Sequence, residues 1–365
     1  MRVFIISSLK YIFLSLTVLC ALLTGLFVTV SIATTEVSES NTPEPISVFQ
    51  TNKKSDGWRA IRHGIEGRVS IPDKKAGILI QSDGEYWRSI RNGPVTYFGM
   101  MSIIGTFCLL LIFYFWRGRI KINGKKGQNE ILRFKFLERF AHWLTATSFI
   151  ILAVTGLNIL YGKYYLLPIL GADLFSKITY IGKLSHNFIG FSFIFGIFMM
   201  FFMWIHQNIP NKKDIIWLKE GGGLFSKSKH PPAEKFNAGQ KIVFWVVILG
   251  GASVSFSGII LLIPFELKPF SSTFSLFNQL GLSFFPSELS LIQEMQLAQV
   301  WHTVVAIFMI VAIIAHIYIG SLGMEGAFQA MGSGKVDLKW AEEHHKYWVD
   351  RIKKDRPDDI KRIKS

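Results

Sequence analysis

Cysteine is nearly missing from this chain of 365 residues: Cys20 and Cys108 are the only two, and both lie inside apolar runs. Inside such runs neither a disulfide framework nor an iron–sulfur cluster is expected, and no CxxCH stretch is present to tether a haem covalently. Any iron must then be held by histidine. Acidic residues are also few, 25 against 40 basic ones, for a formal net charge of +15. Most of the excess falls in residues 117–126, 212–241 and 335–364, next to apolar blocks. That is the distribution of positive-inside topology, and nucleic acid is not an expected partner.

What the chain has in quantity is apolar sequence. Half of its residues are hydrophobic and 14% are aromatic, gathered into six blocks long enough for a hydrocarbon core that takes about 20 residues to cross. They are 11–31, 95–116, 140–160, 184–205, 242–263 and 297–322. The pattern predicts an all-α integral-membrane protein: a four-helix bundle over 136–325, an additional transmembrane helix at 95–116, and a signal-like segment at 1–34. That first segment carries Arg2 and Lys10 and ends in small residues, as a secretory signal peptide does; a retained signal anchor is the other reading.

Residues 35–94 are polar, with turn residues near 53–57 and 64–67 and short strands expected near 67–71 and 77–81. They read as a small extracytoplasmic module, with His63 on its surface and partner contact as its role. The basic linker 117–135 and basic tail 326–365 are expected on the cytoplasmic side as loop and tail. Alternation then puts 161–183 and 264–296 outside, and the second of these holds Glu266, Glu288 and Glu294 against a single Lys268.

Of nine histidines, five fall in or beside the core blocks: His142, His186, His206, His302 and His316. An ionisable side chain at membrane depth is costly and marks a functional site. His302 and His316 share one helix, about 21 Å apart along its axis and about 40° apart around it. One helix face thus presents two imidazoles near opposite membrane surfaces, the arrangement for two stacked haems, each taking its second ligand from another helix. His186, near an outer helix end, matches His302, and His142, near an inner end, matches His316. His206 lies about 200° around the helix from His186 and faces away. Any one of these histidines could instead be a buried side chain satisfied by hydrogen bonds; four at two matched levels argue for ligands. Gly190, Gly196 and Gly258 are small residues that would let helices or a porphyrin approach.

The stretches RFKFLERFAHW, GKLSHNFIG, HQNIPNKKD, KFNAGQK, WHTVVAIFMIVAIIAHIY and EEHHKYW together resemble the cytochrome b (gamma) subunit of respiratory formate dehydrogenase, over about residues 133–348. NIPxKKD with KxNAGQK is the specific part, because the histidine-bearing helices alone suit the related cytochromes of nickel–iron hydrogenases and thiosulfate reductases equally. The resemblance implies two b haems ligated by His142, His186, His302 and His316, and a menaquinone-type quinone site at Asn237, Gly239 and Gln240 with His316 close by. From the residues alone, Asn237–Gln240 also reads as a polar helix cap. The resemblance further implies a bacterial inner-membrane location and two partners on the outer face, a molybdenum or tungsten catalytic subunit and an iron–sulfur subunit. Formate oxidation would belong to the catalytic partner. The first 130 or so residues extend beyond the shortest members of that family, while GILIQSDGEYWRSIRNGP resembles the extension of longer ones. A haem-free anchor or transporter is the reading from another class, and the matched broken helices of an inverted-repeat transporter are not seen in the sequence.

Overall fold

A computed structural model describes residues 82–122, 127, 129–226, 230–282 and 284–356. The signal-like segment, the first apolar block, His63, Cys20 and the strands expected near 67–71 and 77–81 lie outside the described residues. Helix α1 (Ser82–Ile90) runs through a π-turn at Arg91–Val95 into α2 (Thr96–Arg117). Pro94 has no N–H to give a regular α-helical ladder, which is where such a turn is expected. Helix therefore begins well before residue 95, inside what reads as the polar module.

Strand β1 (Glu130–Leu132) precedes α3 (Phe136–Tyr165) and α4 (Leu167–Trp204). Helix α5 (Lys212–Lys219) is followed by α6 (Ala238–Trp245), which continues through a π-turn at Val246–Gly250 into α7 (Gly251–Leu262). Next come α8 (Pro269–Gln279) and α9 (Leu291–Tyr318), the latter ending in a π-turn at Ile319–Gly323. Then follow α10 (Ala327–Gly332), β2 (Lys335–Asp337), α11 (Leu338–His344) and α12 (Lys346–Asp355).

Five stretches among the described residues are long and apolar enough to cross a membrane: Tyr86–Arg117, Phe136–Tyr165, Leu167–Gln207, Ala238–Leu262 and Leu291–Gly323. Hydropathy underestimates several of them, because Glu138, Arg139, Lys163 and Lys177 are charged yet helical. The expected outer loop 161–183 is the clearest correction. Helices α3 and α4 meet at Leu166, and only Gly171, at φ 73, interrupts the second. Beyond Gly171, α4 is about 50 Å long, more than a hydrocarbon core of about 30 Å requires.

Small residues set the helix spacing. Ser148, Ser192 and Ser257 are fully buried, as expected where helix backbones approach closely in lipid. At Gly196 a Cβ would come within 3.2 Å of the Thr145 backbone. Gly196→Val is therefore expected to force α3 from α4 and cost about 1–3 kcal/mol, read as a lowered thermal midpoint in detergent. Gly105→Val, where no described atom lies within 4 Å, should leave the midpoint unchanged. Helix α2 joins the bundle from outside, with Gly99 its one buried residue; Tyr161 Oη donates to the Thr96 carbonyl at 2.9 Å.

The linker and tail, expected as loop and tail, fold together, and the all-helical expectation misses the one small sheet they make. β1 and β2 pair antiparallel, with Ile131 opposite Val336. Arg139 Nη1 donates to the Gly332 carbonyl at 2.8 Å and Trp143 Nε1 to that of Met331 at 2.9 Å. Gly334, at φ 85, admits no side chain: a Cβ there would collide with the Phe134 carbonyl oxygen. Buried Ile131, Phe134, Phe236, Val336, Trp340 and Trp348 fill the space beneath.

Arg133 is the polar centre of this cap. It is 4% exposed, and its guanidinium lies 5.2 Å from the Phe134 ring centre, 5.3 Å from Trp340 and 6.0 Å from Trp348. Nη2 donates to the Lys235 carbonyl at 2.6 Å and to Gln240 Oε1 at 3.2 Å. Burial pushes its pKa down to about 9, so the group is still charged at neutral pH. The linker, the segment before α6 and the tail thus share one anchor.

Candidate functional site

Helix α9 carries His302 and His316, and each faces one histidine of the α3–α4 hairpin. The ring centres of His186 and His302 are 6.1 Å apart, and those of His142 and His316 are 6.2 Å apart. All four rings come from helices, whose stiffness fixes the two levels. His206, in a turn after α4, is exposed and stands apart from both pairs.

At His186 and His302, hydroxyls select the tautomer. Thr155 Oγ1 donates to the Ile151 carbonyl and Ser257 Oγ to that of Ser253, so each hydroxyl has spent its proton on its own helix. Toward the imidazoles the same oxygens act as acceptors, 2.9 Å from His186 Nδ1 and 3.0 Å from His302 Nδ1. With the proton held on Nδ1, Nε2 keeps its lone pair for a metal. At the other pair, His142 Nδ1 is buried with no hydrogen-bond partner among the described residues.

Glycines make room beside these rings. A Cβ at Gly156 would lie 3.3 Å from the His186 ring, and one at Gly258 would lie 3.5 Å from that of His302. At Gly190 and Gly320, one helical turn after His186 and His316, no described atom comes within 4 Å of such a Cβ although both residues are partly buried. Gly196, by contrast, serves helix contact.

Two imidazoles that share one metal through nitrogens, each about 2 Å from it, place their ring centres about 6 Å apart. The spacing and the open glycine faces fit an iron held between two histidines at each level, and at His186 and His302 the tautomers fit it as well.

The Asn237–Gln240 segment is a capping box at the start of α6. Gln240 N–H donates to Asn237 Oδ1 at 2.9 Å and Asn237 N–H to Gln240 Oε1 at 3.1 Å. Those bonds engage both side-chain oxygens and leave the amide N–H groups outside the box. A Cβ at Gly239 would lie 3.1 Å from the Trp217 ring. Beside the cap runs an apolar crevice of about 500 Å³, lined by Pro210, Asp214, Ala238, Lys241, Ile242 and Trp245 among others.

At its edge Lys241 Nζ bonds Asp214 Oδ2 at 2.8 Å. This pair joins the NIPNKKD and KFNAGQK stretches, which gives a physical reason for their occurring together. The ion pair, Trp217 and Arg133 have no role in the sequence reading, although all but Trp217 lie in stretches that drew attention. Sequence reasoning also passed over His230, His344 and His345, which gather on the cap side of the molecule.

The family model described as prokaryotic cytochrome b561 matches residues 133–334. The formate dehydrogenase cytochrome b556(fdo) subunit of Escherichia coli (strain K12) is 30% identical over 230 residues, 63% of this chain and 96% of that protein. The nitrate-inducible formate dehydrogenase cytochrome b556(Fdn) subunit of the same strain is 29% identical over 227 residues, 61% of this chain and 92% of that protein. The formate dehydrogenase cytochrome b556 subunit of Haemophilus influenzae is 28% identical over 225 residues, 61% of this chain and 83% of that protein.

Proposed function

The chain belongs to the prokaryotic cytochrome b561 family, and from that premise we propose that it is the cytochrome b subunit of a membrane formate dehydrogenase, passing electrons through two b haems to a menaquinone-type quinone. The observation that carries this reading is the pair of matched imidazole couples, at 6.1 and 6.2 Å, on one shared helix. Bound b haem supplies a one-electron couple at each level.

His186 and His302 hold the outer level, with Thr155 and Ser257 keeping their Nδ1 protons in place. His142 and His316 hold the inner one, about 21 Å away along α9. Electrons enter at the outer level from an iron–sulfur subunit, which this chain anchors with the molybdenum or tungsten catalytic subunit. The amide N–H groups of Asn237 and Gln240, with the backbone at Gly239, are donors of the kind a quinone carbonyl requires, and the crevice along α6 suits an apolar tail. The basic cap faces the cytoplasm of a bacterium, in its inner membrane, by the positive-inside rule.

The direct test adds formate to membranes containing the complex and follows the reduced b-type absorbance band. Formate should raise the band, and a soluble menaquinone analogue should bleach it. A band raised by hydrogen and not by formate would assign the chain to a hydrogenase instead. A finer prediction concerns the hydroxyls: Thr155→Val should weaken haem retention at the outer level by about 10–100-fold, the usual effect of losing a ligand's hydrogen-bond partner. Redox titration should then show one of two midpoints shifted and the other unmoved.

A further inference from the structure

Away from the paired histidines, a second set of metal-ligating side chains comes together within the cap. His230 lies in the segment leading to α6, and Glu343 and His344 close α11. Their ligand-capable atoms all fall within 4.8 Å of one another. The rings of His230 and His344 are 4.4 Å apart, meeting edge to face. His344 is buried, and His230 Nε2 is a buried ring nitrogen with no hydrogen-bond partner among the described residues.

We propose that His230, Glu343 and His344 bind one divalent transition-metal ion, zinc by the chemistry of the donors, as a clasp between the tail and the segment that leads into α6. Two imidazole nitrogens and one carboxylate oxygen form a familiar three-ligand zinc set, with water completing a tetrahedron. Such an ion would join positions more than a hundred residues apart. The same two segments already meet beside it, since His345 Nδ1 lies 2.7 Å from the Glu234 carbonyl oxygen and Trp348 N–H donates to that of Ala233 at 3.4 Å.

Of the described cations near these side chains, Arg117 Nε donates to the Leu224 carbonyl at 2.8 Å, and Arg133 is held by the Lys235 carbonyl, Gln240 and three rings. The clasp is independent of the haem reading, because none of its ligands lies near the paired histidines in sequence or shares their helices.

The test is metal analysis of tag-free, full-length protein in detergent, stripped with a chelator and then titrated with zinc alone, with iron counted separately. One zinc per chain is expected. His230→Gln and Glu343→Gln should each weaken it by more than about 100-fold, beyond what loss of an outer-shell partner costs, with the b-band intensity unchanged. His344→Ala removes a buried ring and can fail to fold; the two conservative variants decide the matter without it. Cobalt in place of zinc should give visible bands that His230→Gln abolishes. Wild-type protein that takes up no stoichiometric zinc, or variants that bind it as tightly, would overturn the proposal.

Discussion

His302→Ala is expected to leave one b haem per chain where the wild type has two, and His316→Ala to remove the other. Each imidazole faces one partner, His186 or His142, at about 6 Å between ring centres. An iron left with a single histidine loses half of its axial ligation. Haem quantitation with a reduced-minus-oxidised spectrum reads the result, and two midpoints in a redox titration should become one. The two variants must lose different midpoints. If either loses none, that pairing is wrong; if His206→Ala loses one, the assignment of the inner ligand must change, because His206 is exposed and outside both pairs.

The second large effect is expected at Arg133. Alanine there strands the Lys235 carbonyl, takes one of two donors from Gln240 Oε1, and removes the cation from between three aromatic rings. Hydrogen bonds to a charged group and desolvated cation–π contacts together put the cost at about 3 kcal/mol, a fall of about 4 °C in thermal midpoint for a chain of this size. The loss should be local first, with proteases cutting the tail before the bundle. Arg133→Lys should recover little, since an ammonium cannot fork between two acceptors while stacking on rings. A tail as protease-resistant in Arg133→Ala as in the wild type would show that the β1–β2 pairing and the Arg139 and Trp143 hydrogen bonds hold the cap without it.

The membrane helices were legible because lipid imposes a simple rule, that about 20 apolar residues must run together, and each described block of that kind falls, to within a residue, on one continuous helical span. Their ends were not legible, since Lys163 or Lys177 looks the same to hydropathy in a loop as on a helix. The histidine levels followed from helix geometry alone: fourteen residues return nearly to the starting face. The hydroxyl partners did not, because Thr155 and Ser257 are common residues in membrane helices, and only the fold brings each beside an imidazole from another helix. The cap escaped for a different reason. Its core pairs residues about two hundred positions apart, such as Ile131 with Val336, and basic charge masked the aromatic content of the tail. Trp340, Tyr347 and Trp348 in so short a segment were the available sign that it packs against something.

Helix α9 also sets a limit on how this chain can change in length. Both of its histidines are fixed to one rod, so removing a single residue between them turns His316 by about 100° and moves it about 1.5 Å relative to His302. Restoring its direction takes a change of three or four residues, which carries it about 5 Å off the level of His142. Loops such as 264–268 can gain or lose residues without this penalty. The stretch from His302 to His316 cannot, and insertions or deletions there should be missing from any functional descendant of this sequence.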